Sequence, residues 1–127
     1  MNEKALKLEL SKVLREIKVH GMDYTFFKRM KDEYGEPIQD KIEIVASKKG
    51  LFHISKGFIS KKISDGTSTH GKGQPKLLMS FEDSKEINVD DFFRTSGNVY
   101  RVVEKNNIQN YDILTDLSLE LVIDGNN

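Results

Sequence analysis

The chain contains no cysteine, which excludes a disulfide framework and any thiolate metal site. Long hydrophobic runs are missing too. Nothing approaches the ~20 apolar residues that a bilayer-crossing helix requires, and the Lys-rich start carries no unbroken apolar stretch of signal-peptide type. The expectation is a soluble protein used without secretion and without a membrane. Signatures of catalysis are equally scarce. There is no Gly-x-Ser-x-Gly elbow and no phosphate-cradling Gly-x-x-x-x-Gly-Lys-Ser/Thr motif. Gly71-Lys72-Gly73 precedes Gln74-Pro75 and a strand, whereas anion binding of that type needs a helix N-terminus. His20, His53 and His70 fall at a helix end, in a strand and in a loop, with no pair at helical spacing. The expectation is therefore no metal, no cofactor and no enzyme.

Net charge is also absent, because 20 Lys and Arg balance 20 Asp and Glu. Their distribution is uneven. Residues 48 to 76 hold seven Lys against Asp65 alone, giving +6, and residues 82 to 124 hold ten acidic and four basic side chains, giving −6. Three outcomes follow from that complementarity: pairing within one monomer, a basic patch of one subunit meeting an acidic patch of the next, or a Lys-rich arm facing nucleic acid.

What is present reads as one β domain over residues 1–127, with enough chain to bury a core unaided. Asn2 to Val19 is helical: Leu6, Leu10, Val13, Leu14 and Ile17 share a stripe, Asn2 suits the cap and Gly21 the far end. Leu8 and Val19 lie off that stripe, either as ordinary isolated exposed apolar residues or as a helix face used by a neighbouring subunit. Met22 to Met30 alternates until Phe27, which predicts a strand with a bulge or a twist there. Lys31 to Asp40, around Tyr34-Gly35-Glu36-Pro37, reads as a turn. Strands follow at Lys41 to Ala46 and, after a Lys48-Lys49-Gly50 break, at Leu51 to Ile54.

Ser60 to Pro75 has three glycines, three serines and two threonines, too little apolar surface to offset the entropy of ordering it. It predicts a flexible, mildly basic arm before a strand at Lys76 to Phe81. The stretch Ile87 to Val122 then holds three apolar runs, an antiparallel meander. A four-residue loop, Thr95 to Asn98, sets Phe93 opposite Tyr100 and avoids facing Arg94 with Arg101. Leu117, Leu119, Leu121 and Ile123 form a buried face against a wet face of Asp116, Ser118 and Glu120. Asp90-Asp91 and Glu82-Asp83 read as solvated turn positions, since adjacent strand residues point to opposite faces and do not converge on a substrate. The aromatics from Tyr24 to Tyr100 are expected to form the core, or, if several share an exposed face, a base-stacking platform. The fold class is thus mainly β: a small antiparallel barrel or rolled sheet with one N-terminal amphipathic helix and a long flexible inter-strand loop.

The order of these segments carries a resemblance. An amphipathic helix, a strand, Tyr34-Gly35-Glu36-Pro37, Gly50-Leu51-Phe52-His53, a Gly/Ser/Lys excursion, Gln74-Pro75, Val89-Asp90-Asp91, Val99-Tyr100-Arg101-Val102 and Asp116-Leu117-Ser118-Leu119-Glu120 succeed one another. This order resembles the head-closure, or stopper, proteins of tailed phages and PBSX-like prophages of Gram-positive bacteria. The family pattern often has Gly-Asp where this chain has Asp90-Asp91. The resemblance implies a structural virion protein in the head-tail connector. Such a protein forms a self-assembled ring beneath a portal or adaptor ring and above a tail-completion or tail tube protein, and closes the channel on packaged double-stranded DNA. It implies localisation to the virion neck, with host cytoplasm during assembly. It also implies that the loop matching Ser60 to Pro75 reaches the channel, with Lys61, Lys62, His70 and Lys72 facing DNA. The alternatives are a small β-barrel module for single-stranded nucleic acid, or another connector or tail-completion component.

Overall fold

The computed structural model describes residues 2–55 and 73–123. Helix α1 (Glu3–His20) begins where the Asn2 side-chain oxygen accepts the Ala5 N–H at 2.8 Å, and ends where the Gly21 N–H donates to the Ile17 carbonyl at 2.8 Å. Of its apolar stripe Ile17 is fully buried, and Leu6, Leu10, Val13 and Leu14 are half-buried. The helix packs on two strands, β2 and β3, whose ranges follow.

Six strands make the wall: β1 (Met22–Lys31), β2 (Pro37–Ser55), β3 (Gln74–Ser80), β4 (Phe92–Thr95), β5 (Asn98–Asn107) and β6 (Leu114–Leu121). They close into a barrel in the order β1-β2-β3-β6-β5-β4, every neighbouring pair antiparallel. The fold is therefore a small antiparallel β-barrel with an N-terminal helix, as the patterning predicts. A short helix α2 (Phe81–Ser84) follows β3, and a 3-10 turn (Ile108–Asn110) precedes β6.

Several boundaries differ from the sequence reading, each for a physical reason. The turn after β1 is tighter than Lys31 to Asp40. The Asp32 carboxylate accepts the N–H groups of Tyr34 and Glu36 at 2.9 and 3.0 Å, and Gly35 takes φ 82, so β2 already starts at Pro37. No break occurs at Lys48-Lys49-Gly50. Gly50 instead sits in one 19-residue strand, paired to Met22 on one side and Met79 on the other. A Cβ there would lie 3.0 Å from the Leu78 carbonyl and 3.1 Å from the Leu77 side chain, so glycine is what lets β3 approach β2 this closely. The irregularity at Phe27 is real, but its extra residue is Val45 on β2, because Phe26 faces Ala46 and Phe27 faces Ile44. Gln74 and Pro75, assigned to the arm, belong to β3. Phe81, assigned to a strand, opens α2, because Ser80 caps the helix by accepting the Asp83 N–H at 2.9 Å.

The β4–β5 hairpin has the expected register, with Phe93 opposite Tyr100, yet closes one rung tighter. Thr95 pairs with Asn98 around Ser96-Gly97, both at positive φ, the requirement of a type I′ turn matched to strand twist. In β6 the alternation ends early: Leu117 and Leu119 are buried, but Leu121 and Ile123 are exposed, and Ser118 is buried on the face predicted to be wet.

The interior is aromatic. Phe93 packs edge-on to Tyr24 at 5.3 Å, tilted on Phe26 at 5.1 Å and stacked on Tyr100 at 5.8 Å, and Tyr100 in turn meets Phe52 at 5.2 Å. Burial pushes the Tyr24 phenol above its ordinary pKa, opposed by hydrogen bonds to the Phe52 backbone and the Thr95 side chain. Phe93→Ala is expected to cost about 3–5 kcal/mol in urea unfolding. Phe92→Ala, one residue away but outside the barrel and half-buried, is expected to cost less. Equal losses would contradict the central place of Phe93.

Candidate assembly surfaces

Four features of the exterior are positioned by the barrel. The first is the base of the Lys-rich stretch. β2 and β3 pair as far as Ser55 with Gln74, so the chain leaves and re-enters the wall at adjacent points. Just inside that base His53 Nε2 lies 3.1 Å from Asp116 Oδ1, and Lys76 Nζ lies 3.9 Å from the other oxygen of Asp116. Lys61, Lys62, His70 and Lys72, the residues expected to face DNA, lie outside the described residues. Of the arm from Ser60 to Pro75, only residues 73–75 are described.

The second feature is the helix face of Leu8 and Val19, read either as ordinary exposed apolar residues or as a contact for a neighbouring subunit. Leu8 and Val19 are 60% and 66% exposed, which leaves that face uncovered in the monomer. Met22, just beyond the helix, is 67% exposed.

The third is a set of ion pairs that joins the two oppositely charged segments. Lys48 Nζ reaches Glu86 at 2.6 Å and Asp83 at 3.7 Å, and the hydrogen bond to Glu86 raises its pKa above the ordinary lysine value. With Lys76 and Asp116, these contacts pair two of the segment's lysines within the chain, whereas Lys49 pairs with Asp23 at 3.5 Å, outside the acidic segment, and Lys56, Lys61, Lys62 and Lys72 lie outside the described residues. Arg101 is likewise held by Glu120 at 2.6 Å and by Asp90, hydrogen bonds that raise the pKa of its guanidinium.

The fourth was not legible as a site. On the face of the wall turned away from the core cluster, Phe27, itself only 4% exposed, stacks on half-buried Phe92 at 5.7 Å, with the Arg94 guanidinium 5.3 Å from the Phe27 ring and that of Arg29 4.8 Å from Phe92. Ile42 and Ile44 stand exposed opposite Arg29 and Phe27 on β2. Beside this face an open groove of about 790 Å³ runs between β1 and the segment before β4, its lining including Lys28, Arg29, Lys31, Asp90 and Arg101. The only signal in the sequence was the adjacency of two Phe-Phe pairs, Phe26-Phe27 and Phe92-Phe93. One ring of each must point outward.

The acidic doublet beside the groove divides into unlike halves. Asp90 is exposed with φ 80, whereas Asp91 is 4% exposed and accepts the Asn88 N–H at 2.7 Å. The solvated reading holds for Asp90 and is corrected for Asp91, whose carboxylate is needed to close the turn. A bulge at Val103 of β5, where Val102 faces Leu119 and Glu104 faces Ser118, re-aims Lys105 toward α2. Its ammonium donates to the Ser84 and Ile87 carbonyls at 2.7 and 2.6 Å. Burial lowers the Lys105 pKa, opposed by Asp91. Among the described residues no group of three His, Cys, Asp or Glu could hold a metal, and no helix is long and apolar enough to cross a membrane. Compared with known proteins, the chain matches no family model and no curated protein.

Two measurements check this arrangement. Alanine at position 90 keeps the left-handed strain while losing the Arg101 partner, and glycine loses the partner but relieves the strain. Asp90→Gly should therefore be more stable than Asp90→Ala by about 1 kcal/mol, and the reverse order in equilibrium unfolding would refute the strain. For Lys105 the sign follows from its lowered pKa. The burial penalty on its charged form is present below the folded pKa and vanishes as pH climbs from there toward the ordinary 10.5. Stability should gain a rising alkaline component that Lys105→Met lacks. An unchanged slope in the variant would dismiss it.

Proposed function

We propose that the protein is a structural component of a phage head-tail connector, a head-closure subunit whose barrel and helix build the wall of a ring. In this reading the Lys-rich stretch between β2 and β3 closes the channel on double-stranded DNA. The observation that carries the reading is the fixed base of that stretch. Ser55 and Gln74 are register partners, so both ends of the tether are anchored side by side on a closed barrel, and copies arranged around an axis would present it to a common point. Cationic side chains at Lys61, Lys62 and Lys72 suit DNA phosphates. The uncovered Leu8 and Val19 supply apolar contact for a neighbouring subunit, with a portal or adaptor above and a tail protein below as the further partners.

Support comes also from the turn at Asp90. The family pattern often has Gly-Asp where this chain has Asp90-Asp91, and Asp90 at φ 80 holds a conformation that favours glycine, which is compatible with that pattern. The same geometry would serve an adaptor or tail-completion ring. A module for single-stranded nucleic acid is less well supported. The external aromatic pair is covered by Arg29 and Arg94, and base stacking needs a free ring face.

Shortening Ser64 to Gly73 should leave the barrel folded while filled heads lose their DNA, measured as the ratio of encapsidated to nuclease-sensitive genome. Particles that retain DNA normally would rule out gating by this segment.

A further inference from the structure

β1 is longer than its pairing on the β4 side. It is bonded to β2 as far as Lys31, but to β4 only at Phe26 and Phe27. Beyond that point the chain before β4 bends away toward β5. The Asp90 N–H donates to the Val102 carbonyl at 2.7 Å, and the Asp91 carbonyl accepts the Val102 N–H at 2.8 Å. Lys28 to Lys31, paired to β2 on one side, therefore have no strand partner among the described residues on the side toward β4, where they border the groove of about 790 Å³. An unpaired edge of this kind is a template for an added strand, since its N–H and C=O groups follow the repeat of an extended peptide.

We propose that this groove receives an extended acidic segment of another polypeptide, added to β1 along Lys28 to Lys31. Charge selects the occupant. Arg29 and Lys31 lie two residues apart on β1, Arg29 over the Phe92 ring, and neither forms an ion pair with a side chain that the structure describes, while the acids in the groove are engaged, Glu43 by Lys28 at 3.9 Å, Asp90 by Arg101 and Asp91 by the Asn88 N–H at 2.7 Å. A second copy of the same edge would set these cations against their own counterparts, and facing like charges destabilise a ladder. A nucleic acid would meet the cations but has no backbone repeat to match the strand edge. Carboxylates on alternate residues of an incoming strand would instead stand opposite Arg29 and Lys31, and the edge would supply the main-chain hydrogen bonds. This assignment does not depend on the connector reading.

The test uses the full chain and three labelled probes: a short peptide of alternating Glu and Val, its Lys and Val counterpart, and a thymidine oligonucleotide. The Glu peptide should bind about tenfold or more tightly than the Lys peptide, equivalent to ~1.4 kcal/mol, and slow amide exchange at residues 28–31. The double variant Arg29→Glu, Lys31→Glu, altering two exposed side chains, should reverse the preference. Failure of both peptides to bind, equal affinities, protection elsewhere, or tighter binding of the oligonucleotide would overturn the proposal. If the variant does not fold, the wild-type preference and the site of protection still decide it.

Discussion

Phe93 touches Tyr24, Phe26 and Tyr100, rings from both strands that flank β4, and the barrel depends on that meeting. β4 has only four residues and pairs with β1 at two of them, so backbone hydrogen bonds alone hold the closure weakly. A fully buried ring contributes a few kcal/mol of hydrophobic burial, and edge-on or offset partners add about 0.5–1.5 kcal/mol per pair. The seam between first and fourth strands is therefore secured from inside, by side chains. Phe27 and Phe92 repeat the cross-strand contact on the outside, beneath two guanidinium groups.

The strands with alternating aromatics were legible because period-two patterning and cross-strand chemistry agree there. Facing Phe93 with Tyr100 follows from the cost of opposing Arg94 to Arg101, and it fixes the register of the hairpin that carries the core. The helix was legible for the same kind of reason, its stripe, cap and terminal glycine all pointing to one element. The misreadings arise where one residue answers to distant neighbours. Gly50 looks like a breaker next to Lys48 and Lys49, yet it is glycine because Leu77 and Leu78 of β3 crowd it. Asp91 looks solvated beside Asp90, yet its carboxylate satisfies a backbone donor. Ser118 is covered on a face that its local alternation assigns to water. The groove edge was not legible at all, since an unpaired strand edge is a property of a neighbour's bend.

The charge asymmetry along the chain resolves in part into short-range structure. Lys48 ties β2 to the α2 region and Lys76 lies beside Asp116 across β3 and β6, so segments far apart in sequence are joined where the topology makes them neighbours. Half-exposed pairs of this kind are worth little individually. The Lys48 contacts favour one docking of α2 on the barrel, a task shared by Lys105, which holds two carbonyls at the end of that region.

The strand from Pro37 to Ser55 belongs to both ladders that border it, first with β1 and then with β3, and Gly50 takes part in each. The two ladders overlap at Gly50 alone, so that one rung carries any coupling between them, and the hairpin beside the groove and the stem at Ser55 can each open at its own end while the other stays paired.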